Sequence, residues 1–292
     1  MSSLNFNHLR YFRAVALDGQ LTRAAETLNL SQSALSVQIK TLEQRLGHPL
    51  FERVGRQLVL TEAGQIALTY ADRIFGAGDQ LLQELSASTE TSRPLRVGAV
   101  STLSRNFQMQ FLKPVLDVGR DDFVLQAGRR RDLLAALQAL KLDVVLSTEP
   151  PYADQMDGLS MRSVLLAAQA VKAHGHAHRL DYGTLEDMLS NEPIILPTES
   201  VIRDSFDALV ARLNVSPRIA AEVDDMAMVR LLARNDAGIA IAPSVVVGDE
   251  LASGGLATAA FDLAITEAFY ATTVERAFPH PALERLLETR TP

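Results

Sequence analysis

The sequence predicts an α/β protein of several domains: a winged helix-turn-helix module, a long linker helix and a two-lobed α/β domain. Apolar residues recur at helical spacing up to about residue 87, whereas short apolar strands alternate with helices after residue 94. A polar stretch that ends in proline, residues 86 to 94, separates the two patterns. The two parts also differ in net charge. Residues 1 to 60 carry seven Lys and Arg and four Asp and Glu, whereas the remaining residues carry 21 Lys and Arg and 31 Asp and Glu.

Length and composition limit the classes of protein to which the chain can belong. The chain has 292 residues, enough for two or three domains, and 47% of them are hydrophobic, as in ordinary globular proteins. It lacks an apolar run of the roughly 18 residues that span a membrane, and it lacks a signal-peptide pattern, so we expect a cytoplasmic protein without membrane contact. Zero cysteines exclude disulfides and thiolate metal sites. The first segment, with a net charge of +3 against −10 elsewhere, is the part suited to a polyanion.

Three helices are predicted in the first segment. A helix over residues 4 to 17 precedes a shorter one that has Thr22 as its candidate N-cap. The third runs from Ser31, whose hydroxyl can accept a bond from a first-turn N–H, to Gly47, which can adopt the left-handed conformation. A short helix, a tight turn and a longer helix form a helix-turn-helix, in which the second helix enters the major groove of DNA.

The third helix has an apolar stripe and a polar N-terminal turn. Its short polar side chains can reach base edges or phosphates, although the same pattern fits a capped amphipathic helix of any bundle. Two extended runs, residues 49 to 53 and 57 to 61, predict a hairpin wing with arginines at its tip, where a guanidinium can reach the sugar-phosphate backbone. Exposed arginines on a turn are otherwise simply solvated. The candidates for DNA contact are Thr22, Arg23, Ser31, Gln32, Ser33, Ser36, Lys40, Arg53 and Arg56.

Several short runs, read in order, resemble a known family. They are Leu21-Thr22-Arg23-Ala24-Ala25-Glu26, Leu30-Ser31-Gln32-Ser33-Ala34-Leu35-Ser36, Leu42-Glu43, Leu46-Gly47, Leu50-Phe51-Glu52-Arg53 and Leu60-Thr61-Glu62-Ala63-Gly64. This order resembles the N-terminal signature of LysR-type transcriptional regulators over about sixty residues. The resemblance implies that Gln32, Ser33 and Ser36 touch operator DNA and that the wing arginines clamp its backbone. Val37 departs from the family, which commonly has arginine there, so we expect a different operator preference.

A long helix is predicted from Thr61 to about residue 87. Its apolar and small residues recur at spacings of three and four, which makes a stripe for a second helix or for packing onto the chain's own core. The resemblance favours the first alternative, because this linker helix dimerises the DNA-binding domains in the family. The stripe comprises Ala63, Ala67, Tyr70, Ile74, Ala77 and Leu81.

The remaining chain predicts parallel sheets in two lobes. Strands at 95 to 100, 123 to 127 and 142 to 147 alternate with helices at 104 to 118 and 131 to 140, and a second alternating set follows from 194 to 242. The resemblance extends here to the family's periplasmic-binding-protein-like effector domain. The predicted boundaries are 1–60 for the winged helix-turn-helix, 61–92 for the linker helix and hinge, and 93–292 for the effector domain, with lobe I at about 93–160 and 264–292 and lobe II at about 161–263.

Small ligands bind at the carboxyl ends of strands in such sheets, which selects the effector candidates. An acidic pair, Asp224-Asp225, follows one strand and suits a cation or amine, although Asp225 can equally cap the next helix. The arginines can likewise be surface charges. The effector candidates are Ser101, Thr102, Arg129, Arg130, Thr198, Ser200 and Asp225.

The sequence contains none of the common catalytic or cofactor motifs, so we expect no enzyme activity, no catalytic residue and no cofactor. His174, His176 and His178 alternate and could share a face toward a metal, but the pattern favours an exposed loop, and we expect no metal site.

These observations together predict a cytoplasmic LysR-type regulator that binds inverted-repeat DNA as a homodimer or homotetramer and responds to a small-molecule or ion effector. RNA polymerase is a further candidate partner. Segments near Glu222 and Glu275 resemble the subgroup that regulates sodium/proton antiporters. Two rival classes are a solute-binding protein and an α/β enzyme with a DNA-binding module; the basic N-terminal module opposes the first, and the missing motifs oppose the second.

Overall fold

A computed structural model describes residues 4–54, 57–86, 93–118, 122–152, 160–198, 200–276 and 278–288. The chain divides into two compact units, Met1–Thr89 and Glu90–Pro292. Most of the expected hinge, residues 87 to 92, lies outside the described residues. Among the described helices, none is both long enough and apolar enough to cross a membrane.

The first unit contains the predicted helix-turn-helix, wing and long helix. Asn5 begins the first helix by accepting a bond from the Asn7 N–H at 2.9 Å, and Gly19 ends it with a φ of 74°. Thr61 begins the long helix, because its hydroxyl accepts a bond from the Gly64 N–H at 3.0 Å. The elements are α1 (Phe6–Asp18), α2 (Leu21–Thr27), α3 (Gln32–Leu46), β1 (Phe51–Val54), β2 (Gln57–Leu60) and α4 (Glu62–Ser86).

Small and large apolar residues hold these elements together. Ala24 and Ala25 are buried and let α2 lie close to its neighbours, while Phe12 of α1 is fully buried against Phe51 of the wing. A side chain on Gly64 would lie 2.0 Å from the Leu50 carbonyl oxygen, so only glycine allows α4 to approach the wing this closely. The wing and α4 are therefore fixed against the helix-turn-helix.

The second unit is built on one nine-stranded mixed sheet. Its strand order is β4-β3-β5-β11-β6-β9-β7-β8, and β10 pairs with β6. The strands are β3 (Leu95–Val100), β4 (Phe123–Gly128), β5 (Val144–Ser147), β6 (Met161–Gly175), β7 (Pro193–Pro197), β8 (Arg218–Val223), β9 (Ile239–Pro243), β10 (Ala257–Thr258) and β11 (Thr266–Val274). The helices are α5 (Arg105–Val118), α6 (Arg130–Gln138), α7 (Leu185–Asn191), α8 (Val201–Leu213), α9 (Met226–Arg234), α10 (Gly248–Ser253) and α11 (Pro281–Glu288).

Two strands connect the lobes. Parallel pairs build lobe I around β3, β4 and β5, and lobe II around β7, β8 and β9, as predicted. The strand β6, which the sequence analysis did not predict, pairs antiparallel with β11 in its first part and with β9 in its last. The sheet is therefore mixed where the lobes meet. The predicted class, a winged helix-turn-helix followed by a two-lobed α/β domain, is confirmed.

A buried carboxylate anchors the beginning of lobe I. Asp143 is 1% exposed and accepts bonds from the guanidinium groups of Arg93 at 2.9 Å, Arg96 at 3.0 Å and Arg276 at 2.8 Å. Burial alone would raise the pKa of Asp143, but hydrogen bonds and positive charge from Arg96, together with the charge of Arg93, lower it to about 2. The cluster ties the start of β3 to the segment that precedes α11.

Candidate functional site

The helix α3 has both predicted caps. The Ser31 hydroxyl accepts a bond from the Ala34 N–H at 3.1 Å, and Gly47 has a φ of 77°. Leu35, Ile39 and Leu42 are buried and fix which face points inward. The opposite face is therefore held toward solvent by the core of the module.

The outward face carries the predicted polar residues at its N-terminal turn. Gln32, Ser33 and Lys40 are exposed, and Ser36 is half-buried. Val37 is 59% exposed on the same helix, where an apolar side chain can contact a thymine methyl group. This surface offers hydrogen-bonding groups, one cation and one apolar contact to a major groove.

The two candidates of α2 have surroundings that the sequence pattern did not predict. Thr22 is not the N-cap, because the helix begins at Leu21 with Gln20 as the capping residue; Thr22 is instead exposed in the first turn. Arg23 donates to both carboxylate oxygens of Asp18 at 2.8 Å, and this ion pair raises the pKa of Arg23. Any phosphate would have to share that guanidinium with Asp18.

The wing is the predicted antiparallel hairpin, with Arg53 opposite Leu58. Arg53 is exposed, whereas Arg56 lies outside the described residues. Glu43 was missed as a functional residue: its carboxylate accepts bonds from the N–H groups of Leu50 at 2.7 Å and Phe51 at 3.3 Å. Glu43 thus joins α3 directly to the start of the wing. In the sequence, the only sign of this role is the position of Glu43 beside the apolar stripe of α3.

A cleft of about 480 Å³ lies between the two lobes, at the carboxyl ends of their strands. Among the predicted effector residues, Ser101, Thr102, Arg129, Arg130 and Thr198 line it. Ser200 and Asp225 do not belong to its lining. Both instead cap helices: Ser200 accepts from the Arg203 N–H at 3.2 Å and Asp225 from the Ala227 N–H at 2.9 Å. The lining also contains Val100, Gly128, Ser147, Thr148, Glu149 and Asp224.

The two arginines of the cleft have different surroundings. Arg130 forms an ion pair with Glu149 and lies 4.3 Å from the ring centre of Tyr152, whose hydroxyl donates to the same carboxylate at 3.1 Å. Arg129 is exposed and makes no ion pair with any residue in the described ranges. The cleft thus contains one neutralised guanidinium and one that a ligand can use.

The three alternating histidines do not form the expected exposed loop. His174 is buried on β6, where its Nε2–H donates to the Ala242 carbonyl at 3.1 Å and Nδ1 accepts from the Thr258 hydroxyl at 2.9 Å. Burial lowers the pKa of His174 to about 4, which keeps the ring neutral. His176 binds the Arg234 carbonyl and His178 contacts Asp236. Within the described part of the chain, no cluster of three or more His, Cys, Asp or Glu side chains could hold a metal ion.

Each of the two units matches a model of a known protein family. Residues 6–65 match the model described as the bacterial regulatory helix-turn-helix protein of the lysR family, and residues 88–290 match the LysR substrate binding domain. The transcriptional activator protein NhaR of Escherichia coli is 26% identical over 99% of this chain and 96% of its own length. The regulator ClcR of Pseudomonas putida is 31% identical over 83% of this chain and 84% of its own.

A solved structure shows the same fold. Full-length CbnR, crystallised in complex with its target DNA, is similar with a TM-score of 0.65 and 22% identity, over 98% of this chain and 99% of that one. The match spans both units of the present chain.

Proposed function

The chain belongs to the LysR family of bacterial helix-turn-helix regulators, and on this basis we propose that it binds operator DNA as a homo-oligomer under control of an effector held between its lobes. The observation that carries the proposal is the exposed polar turn of α3, fixed in position by the two caps and by Glu43. The effector is a small molecule or an ion in the cleft. The chain acts in the cytoplasm and catalyses no reaction.

The groups on α3 and the wing divide into two kinds of DNA contact. Gln32 has the paired donor and acceptor that recognise adenine in the major groove, so it reads bases. Lys40 and Arg53 are cations suited to phosphates, so they set affinity and register. The positive charge of the first segment supports this division, because phosphate contacts supply most of the sequence-independent binding.

The outer face of α4 supports dimerisation with a second copy. Ile66 and Tyr70 are more than half exposed and border an apolar groove of about 570 Å³, which also includes Leu46 and Leu50. Leu81, Leu82 and Leu85 continue the exposed apolar face. A second copy of α4 that packs against this apolar face would remove it from water.

A two-fold dimer presents two recognition helices, so the operator contains inverted half-sites, and pairs of dimers form a tetramer. RNA polymerase is the further partner through which the bound oligomer acts.

The test compares full-length variants on DNA selected from fragments of the source genome. Gln32→Ala removes the proposed base contact, whereas Gln44→Ala changes an exposed glutamine near the other end of α3 and is the matched control. We expect Gln32→Ala to weaken binding to the selected sites by roughly 10- to 100-fold, with little change on random DNA. Arg53→Ala should weaken binding to both DNAs and lower the dependence of affinity on salt.

Two outcomes contradict the proposal. If the wild-type protein enriches no promoter sequence over random fragments, the regulator function fails. If Gln32→Ala weakens binding to both DNAs equally, Gln32 does not read bases, and the proposed division between base and phosphate contacts is wrong.

A further inference from the structure

The charged side chains that line the cleft are not all neutralised. Arg130 and Glu149 form an ion pair with each other. Arg129 and Asp224 also line the cleft, and neither forms an ion pair with any residue that the structure describes. The cleft therefore presents one available positive charge and one available negative charge.

These two charges come from opposite lobes. Arg129 follows β4 of lobe I and Asp224 follows β8 of lobe II. Near Arg129, the hydroxyls of Ser101 and Thr102 line the same cavity, although that of Ser101 already donates to the Gly128 carbonyl at 3.4 Å; no side chain caps the first turn of α6, which Arg129 precedes. Lobe I consequently offers a guanidinium and neutral donors, a combination suited to a carboxylate.

Lobe II offers the opposite chemistry. The helices that begin there, α8 and α9, have N-terminal turns capped by Ser200 and Asp225, so their N–H groups are partly used. What remains for a ligand is the Asp224 carboxylate and the Thr198 hydroxyl, both of which accept hydrogen bonds. This arrangement suits an ammonium group.

We propose that the cleft binds a zwitterion of the amino-acid type, with its carboxylate on Arg129 and its ammonium group on Asp224. The inference rests on the proposed function, which places the effector in this cleft, and adds the chemical class of that effector. A cavity of about 480 Å³ is large enough for a ligand of this size. A simple anion would leave Asp224 without a partner when the lobes close, and a simple amine would leave Arg129 without one. Removing an unpaired charge from water is costly, so neither ligand is favoured. A zwitterion bridges the lobes and so binds the closed arrangement better than the open one.

The test is calorimetric titration of the full-length protein with each standard amino acid. For the amino acid that binds best, two analogues follow: the amine without its carboxylate and the acid without its ammonium group. We expect each analogue to bind roughly 10- to 100-fold more weakly, the range for a lost charge-assisted hydrogen bond.

Variants assign the two contacts. Asp224→Asn should weaken binding of the amino acid but not of the deaminated acid, and Arg129→Gln should weaken binding of the amino acid but not of the decarboxylated amine. Asp204→Asn and Arg131→Gln change exposed charges outside the cavity and are the matched controls. Circular dichroism confirms that each variant is folded.

Either of two results overturns the zwitterion proposal: no amino acid binds, or the deaminated acid binds the wild-type protein as tightly as the amino acid. DNA selection by the same preparation distinguishes this failure from failure of the regulator function. Protein that enriches promoter sites but ignores amino acids refutes the ligand class alone, whereas protein that enriches none refutes the regulator function.

Discussion

Replacing Glu267 by glutamine should remove a pH-dependent cost to folding of the effector unit. Glu267 lies on β11 opposite Gln169 of β6, where the lobes are joined, and is only 5% exposed. Burial raises the pKa of its carboxyl group from the ordinary value of 4.5 to about 7. The folded protein therefore keeps this proton at pH values where the unfolded chain has lost it.

The difference between the pKa of Glu267 in the folded and unfolded states sets the sign and size of the pH dependence of stability. Between pH 4.5 and about 7 the folded state binds more protons than the unfolded state, so the free energy of unfolding falls as pH rises. A tenfold change in proton affinity corresponds to about 1.4 kcal/mol, so the loss across this range is roughly 3 kcal/mol. Stability from this group is fully present below pH 4.5 and gone above about 7.

His174 acts in the opposite direction over nearly the same range. Burial lowers its pKa from 6.5 to about 4, so its contribution to stability is complete above pH 6.5 and is lost as pH falls to about 4. The two groups nearly cancel in the wild-type protein. Glu267→Gln should therefore expose a rise in stability with pH that the wild-type protein conceals.

The assay is urea unfolding of the full chain, followed by hydrogen exchange of β11 peptides so that the effector unit is observed separately. The free energy of unfolding of Glu267→Gln, minus that of the wild type, should grow by about 3 kcal/mol between pH 4.5 and about 7. Glu186→Gln, which alters an exposed glutamate, gives the background for losing a surface carboxylate. A difference that stays constant with pH would refute the reasoning.

Three further substitutions test other parts of the structure. Asp143→Asn removes the carboxylate shared by three arginines and should destabilise the effector unit by about 3–5 kcal/mol in calorimetry; a loss near zero would contradict its role as anchor. Gly64→Ala forces a Cβ against the Leu50 carbonyl and should lower the stability of the DNA-binding unit by about 1–3 kcal/mol in urea unfolding; unchanged stability would show that the close approach does not require glycine. Glu43→Ala should weaken DNA binding severalfold in fluorescence anisotropy while far-ultraviolet circular dichroism is unchanged; unaltered affinity would remove Glu43 from positioning the wing.

Local chemistry made the N-terminal unit predictable. The caps Ser31 and Gly47 act within one turn of helix, so their residue types alone located both ends of α3. The placement of Ser101, Thr102 and Arg129 in one cleft also followed from a general rule, because parallel strands bring their carboxyl ends to one edge.

Long-range pairing accounts for what the sequence did not reveal. The strand β6 lacks a simple alternation of buried and exposed residues, and its two parts pair with different neighbours, so the period-two pattern of a strand did not identify it. The burial of His174 depends on Thr258 and Ala242, both more than sixty positions away. Asp224 and Asp225 are adjacent in the chain, and only the backbone turn decides which caps a helix and which lines the cleft.

The use of sheet strands as connectors determines how the lobes can move. Because β11 pairs with β5 of lobe I, β6 pairs with β9 of lobe II, and β6 and β11 pair with each other, rotation of one lobe relative to the other must change the twist of the sheet. Under the proposed function, an effector held in the cleft therefore acts by changing the twist of this shared sheet.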